Sequence, residues 1–144
     1  MPDYSSYTDE ALLATTAWKE ARGQIKKFGV AAVLAVMHVI VNRMDAWGQS
    51  IQHVILGPNQ FTSMSVSSDP EFELLPADDD PIYQQCLTEA SSILDGSDPD
   101  ETEGACYYAN LEHIPQDGWF WRHIVLDTTR HPLTKKIGDH SFFH

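Results

Sequence analysis

Gly29-Val30-Ala31-Ala32-Val33-Leu34-Ala35-Val36-Met37-His38-Val39-Ile40-Val41 is apolar at every position but His38 and holds no turn residue after Gly29. Its β-branched residues suit a strand, but a strand of this length is rare, whereas a fully buried helix of this length is common. The stretch is therefore read as a central helix. It ends at Asn42 and Arg43, the first polar pair, and His38 is expected to be a hydrogen-bonded core histidine. On the N-terminal side, Thr8 or Asp9 is a natural N-cap for a helix through Leu12, Leu13, Ala17 and Trp18 to about Arg22, with Gly23 as its stop and residues 1–8 as a polar, flexible arm. On the C-terminal side, Ser50 to Gly57 gives a short capped helix, and a Ser-rich loop runs from Pro58 to Asp69. The clearest helix has Asp80 as N-cap, Pro81 in its first turn, an apolar stripe of Ile82, Cys86, Ala90, Ile93 and Leu94, and Gly96 at its end. Short β-like runs follow at Ala105–Ala109, Phe120–Thr128 and His140–Phe143. Helices first and strands last predict an α+β fold in one domain, residues 1–144, with a small antiparallel β region.

Composition fits one globular core: 144 residues, 42% hydrophobic and 10% aromatic, long enough to bury roughly two thirds of the unfolded surface. A net charge of −12 argues against nucleic acid as a partner, because phosphate backbones are repelled. No stretch reaches the roughly 18 to 20 apolar residues of a membrane span, and Met1–Glu10 lacks a basic leader region, so no membrane insertion and synthesis in the cytoplasm without a signal peptide are expected. Cys86 and Cys106 are too few for a disulfide framework and lack metal spacing, so both are read as free and structural. The seven histidines form no HxH or HExxH cluster, and Asp78-Asp79-Asp80 lacks a calcium loop, so neither metal nor cofactor is expected.

On a helical wheel the first helix leaves Thr15, Lys19 and Arg22 on its polar side, while Glu20 falls on the arc of Leu12, Leu13 and Ala17. A carboxyl against apolar side chains loses hydration, its pKa rises, and it becomes able to donate a proton near neutral pH. The competing reading makes Glu20 a boundary residue paired with Arg43 or Lys19.

Trp18-Lys19-Glu20-Ala21-Arg22-Gly23, Ala31-Ala32-Val33-Leu34-Ala35-Val36 leading to Val41-Asn42-Arg43, Asn59-Gln60-Phe61-Thr62, Glu103-Gly104-Ala105-Cys106-Tyr107-Tyr108 and Gly138-Asp139-His140-Ser141-Phe142-Phe143 resemble, in order, the motifs of the SleB-type cell wall hydrolase family. The resemblance spans nearly the whole chain. It implies a lysozyme-like, lytic-transglycosylase-related fold with Glu20 as the catalytic acid, peptidoglycan glycan strands as substrate and no obligate protein partner. Two positions depart from the family pattern: Gln24, where Glu is usual, and the Phe142-Phe143 pair, which commonly ends in Tyr. A stand-alone catalytic unit resembles phage lysins, which act on the wall after release.

The residues themselves agree with a single-acid mechanism, since no Asp or Glu lies between Ala21 and Met44. Two-carboxylate glycosidases need a second group, which here would have to come from a distant acid such as Asp69, Glu71 or Asp78. Around the acid, Gln60 and Asn42 have amides suited to N-acetyl and hydroxyl groups, Asn42 being equally a helix C-cap. Phe61 and Thr62 complete the loop motif, with Thr62 bonding substrate or Glu20 or capping the loop. Tyr107 or Tyr108 stacks on a sugar or packs in the core, and His140 is a motif residue near the groove. By strand alternation, Trp119, Phe120 and Trp121 give one core aromatic and a surface pair. The rival enzyme class is a hydrolysing muramidase, and the rival outside enzymes is a silent glycan-binding module.

Overall fold

The computed structural model describes residues 2–58 and 60–144, so Asn59 of the third motif lies outside the described residues. Helix α1 spans Asp9–Phe28. The Thr8 hydroxyl accepts from the Ala11 N–H at 3.1 Å, and the first turn carries Asp9 and Glu10 and the last turn Lys26 and Lys27, as the helix dipole favours. Gly23 does not stop it. An internal glycine costs about 1 kcal/mol, and here Ile25 packs on the core while Gln24 and Phe28 meet the Gly138 turn, which outweighs that cost. The stop is Gly29, at φ 73°, whose N–H returns to the Ile25 carbonyl at 2.8 Å.

Helix α2, Ala31–Trp47, runs one turn past the expected end to Gly48. Asn42 and Arg43 do not need solvent, because they find acceptors within the protein: Asn42 Nδ2 donates to Asp100 and to the Ala105 carbonyl, each at 2.9 Å, and Arg43 Nε to the Cys106 carbonyl at 2.6 Å. His38 is 5% exposed and bonds Asp98 at 2.8 Å, as a core histidine should. Helix α3, Ile51–Leu56, is capped by Ser50, and α4, Thr62–Ser65, is a single turn inside the segment read as loop. Helix α5, Pro81–Leu94, starts where Asp80 Oδ1 accepts from the Ile82 and Tyr83 N–H groups at 2.9 and 3.0 Å. Asp80→Ala should lower stability by about 1 kcal/mol, measurable as a lower urea midpoint at unchanged slope.

Helix α1 packs on α2 and α5 through Leu12, Leu13, Ala17, Val36, Ile40 and Ala90. The side of α1 read as polar is covered as well: Thr15 lies under Tyr83 of α5, and Lys19 is buried. Nor are residues 2–8 a free arm, since Tyr4 and Tyr7 meet edge-on at 5.1 Å and pack on the core.

The sheet is antiparallel, in the order β1-β3-β2, from β1 Tyr107–Ala109, β2 Leu133–Ile137 and β3 His140–Phe143. Tyr108 lies opposite Phe142, which joins Ala35, Val39 and Ala105 in a second core between α2 and the sheet. Strand β2 was not anticipated, because its lysines and exposed Leu133 give no buried face. It is set by the two-residue Gly138-Asp139 turn, where φ is 61° and a Cβ would stand 2.7 Å from Gln24 Oε1. The run Phe120–Thr128 is not a strand: Trp121–Val125 forms a π-helical turn that buries Ile124 and brings Phe120 edge-on to Phe143 at 5.9 Å. Among the described residues no helix is long and apolar enough to cross a membrane.

Candidate active site

Glu20 stands midway along α1, where helix, α4 and sheet converge. Its two carboxyl oxygens are held separately: Ser63 Oγ donates to Oε2 at 2.9 Å, and the Tyr108 hydroxyl to Oε1 at 2.6 Å. Burial raises the Glu20 pKa above the usual carboxyl value. The Tyr108 and Ser63 bonds and the Arg43 charge oppose that rise without cancelling it, and Asp69 adds to it. Burial and the neighbouring carboxylate drive the Tyr108 phenol well above its usual value, so it stays a donor. Tyr108 is fixed from behind by Phe142, stacked at 5.7 Å, and by the His140 ring at 4.9 Å.

A cleft of about 410 Å³ opens over this carboxyl. Arg43, Trp47, Gln60 and Phe61 line one part, and Tyr107, Tyr108, Trp119 and Phe120 the other. Among the described residues lining it, Glu20 is the sole carboxyl and Arg43 the sole cation. The Arg43 guanidinium is pinned by the Cys106 carbonyl and by Gln60 Oε1 at 3.2 Å, and lies 5.1 to 5.7 Å from the ring centres of Trp47, Phe61 and Tyr107. Burial lowers its pKa, but an arginine remains charged. Trp119, 60% exposed, forms the rim.

Of the residues singled out from sequence, Glu20, Gln60, Phe61, Tyr107 and Tyr108 come together at the cleft. Three do not. The Asn42 amide is spent on Asp100, Thr102 and Ala105, neither a C-cap nor a cleft group. The Thr62 hydroxyl turns away to Asp69 at 2.6 Å. His140 sits behind Tyr108, its ring bonded to Gln24 Nε2, while Gln24 Oε1 accepts from the Asp139 N–H. Neither cation proposed as a partner bonds Glu20: Lys19 turns to other acceptors, and Arg43 acts only through space. A helical rather than alternating path puts Trp119 and Phe120, not Trp119 and Trp121, on the cleft.

Ser63 and Trp47 were not anticipated. Trp47 follows Arg43 at i+4 and so shares its helix face, a signal that exists only where α2 continues past the Asn42-Arg43 pair. Ser63 carried no signal beyond adjacency to Thr62. Of the distant acids, Asp69 accepts from Thr62 and the Glu71 N–H, Glu71 pairs with Arg22 at 3.0 Å, and Asp78 is exposed and outside the cleft lining. Among the described residues no three His, Cys, Asp or Glu side chains gather as metal ligands.

A helical body, a small antiparallel sheet and a cleft between them floored by one helix-borne carboxyl define a lysozyme-like domain. The sequence profile of the cell wall hydrolase family matches residues 27–143, and the chain belongs to that family. The match begins after Glu20. The fold is similar to the catalytic domain of the germination-specific lytic transglycosylase SleB from Bacillus anthracis, at 26% identity and TM-score 0.67 over the whole of both chains. It is likewise similar to the catalytic domain of the Bacillus cereus SleB protein, at 27% identity and TM-score 0.65 over all of this chain and 95% of that one. No curated protein sequence matches significantly.

Proposed function

We propose that this cell wall hydrolase is a peptidoglycan lytic transglycosylase that cleaves the β-1,4 bond between N-acetylmuramic acid and N-acetylglucosamine, with Glu20 as acid and then base. The carrying observation is the solitary carboxyl: a raised-pKa glutamate held by two hydroxyls, with no second acid on the cleft wall among the described residues. Protonated Glu20 gives its proton to the glycosidic oxygen as the bond to the anomeric carbon breaks. The 6-hydroxyl of the same muramic acid then closes on that carbon and returns its proton to Glu20, so the enzyme is restored and no water is consumed. An intramolecular hydroxyl has an effective concentration of up to about 10⁵ to 10⁸ M, which replaces the missing second carboxylate. As the charge on Glu20 changes, Tyr108 and Ser63 hold its position, while Trp47, Tyr107 and Trp119 offer ring faces to sugars.

Mass spectrometry of digested peptidoglycan tests the reading. Products should end in 1,6-anhydro-N-acetylmuramic acid, lighter by one water than hydrolysed ends and inert to borohydride. Reducible, full-mass ends would instead make water the nucleophile. That muramidase alternative has one observation in its favour, the electrostatic influence of Asp69 on Glu20, and would require Asp69 to leave Thr62 and serve as base. Peptidoglycan left intact would make the chain a glycan binder.

A further inference from the structure

We propose that Lys19 is a positioning residue for the acid: its buried ammonium fixes the backbone of Ser63 so that the Ser63 hydroxyl reaches the Glu20 carboxyl. The assignment rests on Glu20 being the acid. Lys19 precedes Glu20 on α1 but points elsewhere, and it is 5% exposed. Its Nζ donates to the Tyr4 hydroxyl at 3.0 Å, the Ser63 carbonyl at 3.0 Å and the Phe72 carbonyl at 2.9 Å. An ammonium has three donors, so each is used, on three separate segments of chain. Ser63 is thus gripped twice from one turn of α1, by its carbonyl at Lys19 and by its hydroxyl at Glu20, 2.9 Å from Oε2.

The grip matters because α4 cannot hold itself in place. A helix of four residues lies far below the length at which helices persist alone. Its other bonds run from Met64, Ser65 and Val66 to the Phe61 and Thr62 carbonyls and from Thr62 to Asp69, and none of these reaches the Ser63 carbonyl, which the Lys19 ammonium holds. Removing the ammonium strands the Ser63 and Phe72 carbonyls in a buried site, at a cost that favours moving them toward water. Burial lowers the Lys19 pKa, Glu71, Asp69 and Glu73 support its charge, and Arg22 opposes it.

The groups facing Glu20 are Tyr108 from β1, Ser63 from α4, Asp69 from the segment beyond, and Arg43 from α2. Of these the Ser63 bond is the one Lys19 governs. It stabilises the carboxylate, so its loss lets the Glu20 pKa rise further. A general acid works while protonated, and activity falls as pH rises through its pKa, so Glu20 sets the alkaline limb of the kcat/KM profile.

The experiment is that profile on soluble peptidoglycan strands for wild type, K19M, S63A and the double variant, with E20Q alongside. K19M and S63A should each lose about 10- to 100-fold in kcat/KM, as a small displacement of a catalytic group does, and each should move the alkaline limb to higher pH. The double variant should lose no more than the worse single, since both act through one contact. Rate loss with an unmoved limb, or losses that multiply, would overturn the proposal. If K19M does not fold, K19Q, which keeps two donors on a shorter stem, replaces it with the same expectations and the same overturning results. Active E20Q would remove the acid assignment itself, whereas inert E20Q beside an unmoved K19M limb would remove only the role of Lys19.

Discussion

Glu20→Gln should fold as the wild type does and lose about 10² to 10⁴ of its rate of wall lysis, the usual worth of a general acid. The change preserves volume. One oxygen of the amide still accepts a hydroxyl, and whichever of Ser63 or Tyr108 faces the new NH₂ can rotate to accept from it, since each hydroxyl both donates and accepts. What disappears is the transferable proton. The measurement is turbidity loss of purified sacculi with matched thermal melts. A folded variant that keeps more than a tenth of wild-type activity would reject Glu20 as the acid.

Arg43→Met should weaken the fold by about 2 to 4 kcal/mol and remove most activity. The guanidinium joins α2 to the Cys106 carbonyl and to Gln60, and three cleft aromatics surround it. The stranded, buried Cys106 carbonyl costs about 1 to 3 kcal/mol and the ring contacts add about 0.5 to 2, whereas Gln60 lines the open cleft and the relief of not burying a cation is subtracted. Arg43→Lys should not rescue it, because an ammonium lacks the planar fork whose separate nitrogens hold the Cys106 carbonyl and Gln60 while the guanidinium lies among the rings. Urea unfolding reads the first effect and sacculus lysis the second. A variant as stable and as active as wild type would show that Arg43 neither braces nor serves the cleft.

Features governed by local chemistry were legible in the sequence. Asp80 with Pro81 marked the start of α5, Ser50 marked α3, and the apolar run from Ala31 identified α2, because caps and buried helices depend on residues within one or two turns. The misread boundaries depend on distant partners. Gly23 sits within α1 because the Gly138 turn packs beyond it, and Asn42 and Arg43 continue α2 because residues 100–106 supply their acceptors. At the candidate site, Glu20 stood out as a carboxyl on an apolar arc, and Gln60 and Tyr108 came from motif resemblance. Ser63 was hidden, since its bond to Glu20 spans 43 positions and depends on a single-turn helix with no periodicity to detect.

Strand β3 lies between β1 and β2 yet follows both in the sequence. During synthesis the helices that carry Glu20 and Ser63 are complete long before it appears, and in that interval β1 has no neighbour to pair with and Tyr108 no Phe142 to rest on. Pairing across such separations is slow, because the loop must close before the contacts repay it. The sheet side of the cleft is therefore the last part to be built, and Tyr108 gains its backing at Glu20 only once β3 has paired with β1.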